Sequence, residues 1–280
     1  MQAQAQVLVD KGLRYKTKRS YNSAQKEYLR FCSNIHVQPM PIQEKVPLLY
    51  VTHLHIKGLA PSSIAVHLAA VRSLHILAGY KEPVLRTAQV NLALKGMKDT
   101  FVTVQKRPIE YDLLKSMCKV VQCYRNAELW TAVWCLAFFA GLRSSEYTHS
   151  GDPEIQGPTI DCVQFSTDLK VMYYTVRRSK TKVQGFTVPV GCTEGSVCPV
   201  CTMAVYLASR KKGGTMSRDS PLFMLEGKVL VASAVNSMIQ KVVGDLGLDQ
   251  KHYSTHSLRS GAASTAANVG FQDWVSRISV

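Results

Sequence analysis

Gly141-Leu142-Arg143-Ser144-Ser145-Glu146 and His256-Ser257-Leu258-Arg259-Ser260-Gly261 are the two stretches on which the reading of this chain turns. Each sets one arginine among small and polar residues at the edge of a helical pattern. A guanidinium is a planar fork that matches phosphate oxygens two at a time and stays charged at any workable pH. Two such groups from separate elements can hold one phosphate from two sides and stabilise charge as it spreads over the phosphoryl oxygens. Upstream, the apolar run from Trp130 to Leu142 is shorter than the ~20 residues a bilayer requires and reads as a buried helix. That helix closes at Arg143, and Glu146 is spaced to orient the guanidinium by an i,i+3 contact. His256 and Arg259 are also three apart, so both project from one face at the start of a helix. Taken singly, each stretch has a plainer reading: Arg143 and Glu146 as a surface ion pair, His256 as a helix cap.

Outward from these strings the pattern changes period. Val163-Gln164-Phe165, Val171 to Val176 and Phe186 to Val190 are β-branched and aromatic runs separated by polar turns, which predicts a small antiparallel sheet with Lys180 and Lys182 on its last hairpin. Helical spacing returns at Met203 to Lys211, Val231 to Val243 and Ser257 to Gly270. From about Ser20 to Met97 the stripes Tyr21, Ala24, Tyr28, Leu29, Phe31 and then Val46, Leu49, Tyr50, Leu54 predict a bundle of four or five short helices. Pro61-Ser62-Ser63-Ile64 opens one of them, with Ala65, Leu68, Ala69, Val71 and Leu74 on its face. Residues 98–107 carry no stripe and end at Pro108, which predicts a linker. The expected architecture is mainly α with a small antiparallel β-sheet in two domains, a helical bundle at 1–97 and a second domain at 108–280.

With 34 Lys and Arg against 19 Asp and Glu, the net charge of +15 creates a field that draws polyanions. The cations gather at Lys11, Arg14, Lys16, Lys18 and Arg19, at Arg177, Arg178, Lys180 and Lys182, and at Arg210, Lys211 and Lys212, as separate patches suited to a nucleic-acid backbone. The eight cysteines are scattered and no signal-peptide core opens the chain, so reduced thiols inside the cell are expected. Cys198-Pro199-Val200-Cys201 with Cys192 nearby invites a zinc reading. A structural site wants four ligands, however, and no second CxxC or paired histidine accompanies it, so no metal and no cofactor is expected.

The order of Gly-Leu-Arg-x-Ser-Glu and His-x-Leu-Arg-x-Gly, with basic hairpin residues between, resembles the two arginine boxes of the tyrosine recombinases, the phage-integrase family. Thr17 to Phe31 and Pro61 to His75 resemble helices of that family's core-binding domain, and the style is that of integrases of Crypton and DIRS-like mobile elements. The resemblance implies a core-binding domain at 1–97 that contacts DNA and a catalytic-type domain at 108–280 that lacks its last helices. It implies that Arg143 and Arg259 bind phosphate, that His256 assists proton transfer, that Glu146 supports Arg143, and that Lys180, with Lys182 as alternate, protonates the leaving 5′-oxygen. The family's tyrosine nucleophile has no counterpart: Tyr253, the last tyrosine, precedes the second box.

DNA recombination and integration are therefore the implied function, with strand cleavage by this polypeptide alone not expected. Two alternatives stand beside it, a non-catalytic domesticated module that binds DNA or regulates a full-length partner, and a helical interaction protein with no DNA role. Duplex DNA is the expected partner, along with self-association or a full-length recombinase. Neither membrane nor small-molecule substrate is expected, and a nuclear location is expected if the source is eukaryotic. The alanine face of the last helix, Ala262, Ala263, Ala266 and Ala267, is expected to lack a packing partner within the chain.

Overall fold

The helical stripes of the first hundred residues become α1 (Tyr15–Asn34), α2 (Val46–Ile56), α3 (Pro61–Leu77) and α4 (Ala88–Thr100) in the computed structural model. The structure describes residues 12–152, 155–177, 184–193, 195, 197–214 and 216–270. By its contacts the chain divides into two compact units, residues 1–103 and 104–280.

In the first unit Tyr28, Phe31, Tyr50, Leu54, Ile64, Leu68 and Val90 form the centre of a single apolar cluster, with α1 packed along α3. Pro61 starts α3 where its missing N–H costs nothing, and the Thr87 hydroxyl accepts from Val90 N at 3.3 Å to start α4. Two residues of the expected stripes face outward: Leu29 and Leu49 are 40% and 52% exposed. Each adjoins a buried tyrosine in sequence, and one residue is about 100° of rotation on a helix of 3.6 residues per turn, enough to leave the core face. α4 runs on to Thr100, into the stretch read as linker, and the Thr100 hydroxyl donates back to the Gly96 carbonyl at 3.1 Å.

The second unit is built around α6 (Ala127–Phe139), which follows α5 (Tyr111–Val120) and is buried on nearly all sides. A helix apolar all round has to lie in the interior. α5, α8 (Pro199–Lys212) and α10 (Thr255–Asn268) surround it. Between α6 and α8 the chain makes the short α7 (Ser144–Tyr147) and an antiparallel sheet of β1 (Val163–Phe165), β2 (Val171–Val176) and β3 (Phe186–Gly191), in that order. The register pairs Val163 with Tyr174 and Val176 with Phe186. A small hairpin, β4 (Met224–Leu225) with β5 (Lys228–Val229), and α9 (Ala232–Asp245) complete the unit. Among the described residues no helix is long and apolar enough to cross a membrane.

The alanine face of α10 has a partner over most of its length, and of its four alanines Ala267 alone is exposed. Ala262 and Ala266 are buried, and α10 contacts α5, α6 and α9 of the same unit, because small side chains let these backbones approach closely. The approach is tightest at Gly261. The segment before α5 lies alongside the start of α10, with Arg107 N donating to His252 O at 2.7 Å and Ile109 N to Ser257 O at 2.8 Å. A Cβ on Gly261 would overlap the Ile109 carbonyl.

Gly261→Ala is therefore expected to destabilise the second unit by about 3 kcal/mol, since backbone cannot move aside as a side-chain tip can. Gly96→Ala on α4, where a Cβ meets nothing within 4 Å, is expected to stabilise by about 0.4–1 kcal/mol. Urea-unfolding midpoints of the two variants should shift in opposite directions.

Candidate phosphate site

α6 stops because Gly141 takes a left-handed backbone, φ 60°, after which Gly141 N donates to Phe138 O at 3.0 Å and Leu142 N to Ala137 O at 2.9 Å. The chain leaves the helix there. Arg143 is thus not the closing residue of the apolar helix, as its sequence suggested, but sits extended, φ −76° and ψ 148°, at the N-cap of α7.

The spacing to Glu146 does what was expected of it. Arg143 N donates to Glu146 Oε2 at 2.8 Å, and Arg143 Nη1 to Oε1 at 3.4 Å. The Glu146 side chain is 1% exposed against 26% for Arg143, and Tyr174 on β2 donates its hydroxyl to the Glu146 carbonyl at 2.9 Å. This is an anchored carboxylate with its oxygens occupied, not a surface ion pair. A carboxylate taken out of water is tolerated only with such partners.

Arg259 arrives from the second turn of α10 and is 7% exposed. Its Nη1 donates to the Gly141 carbonyl, so the two arginine stretches meet directly. Burial holds the Arg259 pKa below the usual guanidinium range, the charge of Arg143 adds to that, and Glu146 opposes it. Two guanidinium groups and one carboxylate within mutual electrostatic range leave a net positive charge, which an oxyanion would complete.

His256 lies one turn before Arg259 on the exposed side of the same helix. It is not the cap. Ser254 holds that position, with Ser254 N donating to Ser257 Oγ at 3.1 Å. Lys180 and Lys182 fall at residues 178–183, outside the described residues. The hairpin that would carry them is defined up to its arms, where Gly185 has φ 71° and a Cβ there would overlap the Val176 carbonyl.

Two cations expected to meet a nucleic-acid backbone are engaged within the protein. Arg177 pairs with Asp161 Oδ2 at 2.6 Å and donates to Thr159 Oγ1 at 2.7 Å. Arg210 donates to the carbonyls of Pro221 and Leu222. Both are half-buried loop anchors. In the first unit, Lys16, Arg19, Ser20, Ser23, Ser63 and His67 line an open hollow of about 640 Å³ between α1 and α3. Beside it Lys57, Arg30 and His53 surround Glu27; burial alone would raise that carboxyl, but these three bring it down to about 2.

Three other groups could hold a metal: Sγ of Cys192, Cys198 and Cys201 lie within 4.8 Å of one another. The residues that sequence reasoning missed at the phosphate site are Gly141, whose carbonyl takes Arg259, and Tyr174. The first had a signal, a glycine directly after an apolar helix; the tyrosine had none.

Residues 4–79 match the phage integrase N-terminal SAM-like domain. Over 95% of this chain and 86% of the other, the structure superposes on that of the Tn1549 transposon integrase in complex with circular intermediate DNA, with a TM-score of 0.62 at 15% identity. It also superposes on lambda integrase bound to DNA, over 97% of this chain and 86% of that one, with a TM-score of 0.60 at 15% identity. Residues 4–79 are thus similar to a phage-integrase N-terminal domain, and the chain shares its fold with these recombinases. No curated protein matches it at the level of sequence. XerH site-specific recombinase bound to its difH substrate shares the recombinase fold with a TM-score of 0.58 at 12% identity, over 85% of this chain and 64% of that one.

Within this recombinase fold Glu146 is the group that lets two guanidiniums lie close together. Glu146→Ala is expected to cost roughly 3–5 kcal/mol, because removing one partner leaves buried charge uncompensated. Urea unfolding checks this; a loss under about 1 kcal/mol would mean that solvent, not Glu146, compensates the arginines.

Proposed function

We propose that the chain binds duplex DNA and holds one backbone phosphate between Arg143 and Arg259, as a DNA recombination and integration protein of the tyrosine recombinase type. The observation that carries this reading is the direct meeting of the two arginine stretches, with Arg259 on the Gly141 carbonyl and Arg143 fixed by a buried Glu146. The phage-integrase domain match and the DNA complexes of the recombinases that share the fold support it.

The chemistry follows from the residue types. The arginines bind the non-bridging oxygens and stabilise charge that develops during phosphoryl transfer. His256, exposed beside them, moves a proton, and Lys180, with Lys182 as alternate, protonates the leaving 5′-oxygen. The attacking group is a tyrosine in this reaction class. Tyr253, the last tyrosine among residues 1–280, is buried and lies before the second arginine stretch. A polypeptide of these 280 residues therefore binds DNA without forming a covalent adduct. The transposon integrase match favours a mobile-element setting.

Fluorescence anisotropy with a labelled duplex tests the binding. Affinity is expected to fall steeply as salt rises, each phosphate contact adding about 0.9 to the log–log slope. Arg143→Ala and Arg259→Ala should each lower that slope by about one contact, measured at a temperature where circular dichroism shows the variant folded, since each also takes a partner from the buried Glu146 cluster and lowers the melting temperature. A salt-independent interaction, or none, would favour the helical interaction module instead. A denaturation-resistant adduct on a nicked suicide duplex would overturn the statement that residues 1–280 do not cleave.

A further inference from the structure

We propose that Cys192, Cys198 and Cys201 bind one Zn²⁺ through three thiolates, with the fourth coordination position open to solvent. The site is separate from the phosphate site and does not depend on the function proposed above.

The three residues come from the two ends of one loop. Cys192 directly follows β3, and its N–H donates to Lys170 O at 2.7 Å, which fixes it against the start of β2. Cys198 is the N-cap of α8 and Cys201 lies in that helix's first turn. The loop between is drawn together by Thr193 Oγ1, which donates to Val197 O at 2.9 Å. The result places all three Sγ atoms within 4.8 Å of one another, with Cys192 and Cys198 at 3.3 Å. Zinc–thiolate bonds of about 2.3 Å in a tetrahedron put neighbouring sulfurs ~3.8 Å apart. The cluster needs shifts of only a few tenths of an ångström to a little over one to reach that geometry.

Outer contacts of the kind that orient thiolate ligands are also in place. Cys201 N donates to Cys198 Sγ at 3.4 Å, a backbone N–H directed at the sulfur from a helix N-terminus. Cys198 is buried while Cys192 and Cys201 are exposed, so the ion would have protein on one side and an open approach on the other. Soft thiolates select zinc or copper(I) over magnesium and calcium. Binding displaces the thiol protons and ties the end of β3 to the start of α8. Because α8 packs on α6, the ion would brace the sheet against the central helix of the unit.

In sequence, the case against a metal is that a structural site wants four ligands and no second CxxC or paired histidine joins Cys192, Cys198 and Cys201. The fold brings the Cys192 sulfur onto the CxxC pair, and three protein ligands with solvent in the fourth position is the coordination zinc takes at open sites. The competing use of the same geometry is a disulfide between Cys192 and Cys198.

The test uses the full chain, purified under reducing conditions and freed of metal with a chelator. Titration with Co²⁺ should give one equivalent of binding, with the near-ultraviolet thiolate charge-transfer band and the strong visible bands of tetrahedral cobalt. One equivalent of Zn²⁺ should bleach them and raise the melting temperature. Cys192→Ser and Cys201→Ser, both at exposed positions that leave folding intact, should weaken binding at least ~100-fold, whereas Cys123→Ser, exposed elsewhere, should bind as the parent does. Arg143→Ala should also bind cobalt unchanged, which separates this site from the phosphate site. A weak octahedral cobalt spectrum, tetrahedral bands that survive in both serine variants, or a peptide map showing Cys192 joined to Cys198 in a glutathione buffer of cytosolic poise would each overturn the proposal.

Discussion

The hydrogen bond from the Arg259 guanidinium to the Gly141 carbonyl joins two stretches that are far apart in sequence, and most of the second unit serves to make that bond possible. The carbonyl is available because Gly141 ends α6 in a left-handed turn, which points the last peptide away from the helix ladder. The guanidinium is in reach because α10 lies so close to the segment before α5 that its Gly261 has no room for a side chain. An arginine at this depth would ordinarily be expelled to solvent. Here the carbonyl and the neighbouring Glu146 offset its desolvation, so the cation is fixed in direction as well as in place.

Rigidity has a functional consequence. A phosphate held between side chains that must first be ordered would lose part of its binding energy to that ordering. Arg143 is held through its backbone and its side chain by the Glu146 carboxylate, and the Glu146 backbone carbonyl is tied to β2 by the Tyr174 hydroxyl. The buried α6, with Trp130 and Trp134 at its centre, anchors Gly141 and therefore both arginines. The exposed cations of the first unit, such as Lys16 and Arg19, suit a different task, attraction of a backbone without a fixed geometry.

Much of this was legible in the residues, and the parts that were not share a cause. The 3.6-residue stripes of α1 to α3, the alternating runs of the sheet and the i,i+3 relation of Arg143 to Glu146 are local, and local spacing determines them. Leu29 and Leu49 were misread because composition does not say where an apolar face ends. Arg177 and Arg210 resemble surface cations in sequence, yet Asp161 and the Pro221 and Leu222 carbonyls reach them only through the fold. The alanines of α10 were read as unpartnered because close helix approach depends on what the rest of the chain puts opposite. Cys192 was legible as close to Cys198 and Cys201 in sequence, but the convergence of the three sulfurs depends on a loop closure and not on spacing.

The central claim is that Arg143 and Arg259 grip the same phosphate. Its most direct measurement is a set of duplexes, each with a single neutral methylphosphonate in place of one backbone phosphate, titrated against the parent chain, Arg143→Ala, Arg259→Ala and the double variant. At one backbone position the substitution should weaken the parent strongly and both single variants much less, and the double variant should lose little beyond either single one, as coupled groups do. If the two arginines instead answer to different phosphates, or if their losses add independently of every methylphosphonate position, the shared-phosphate account is contradicted.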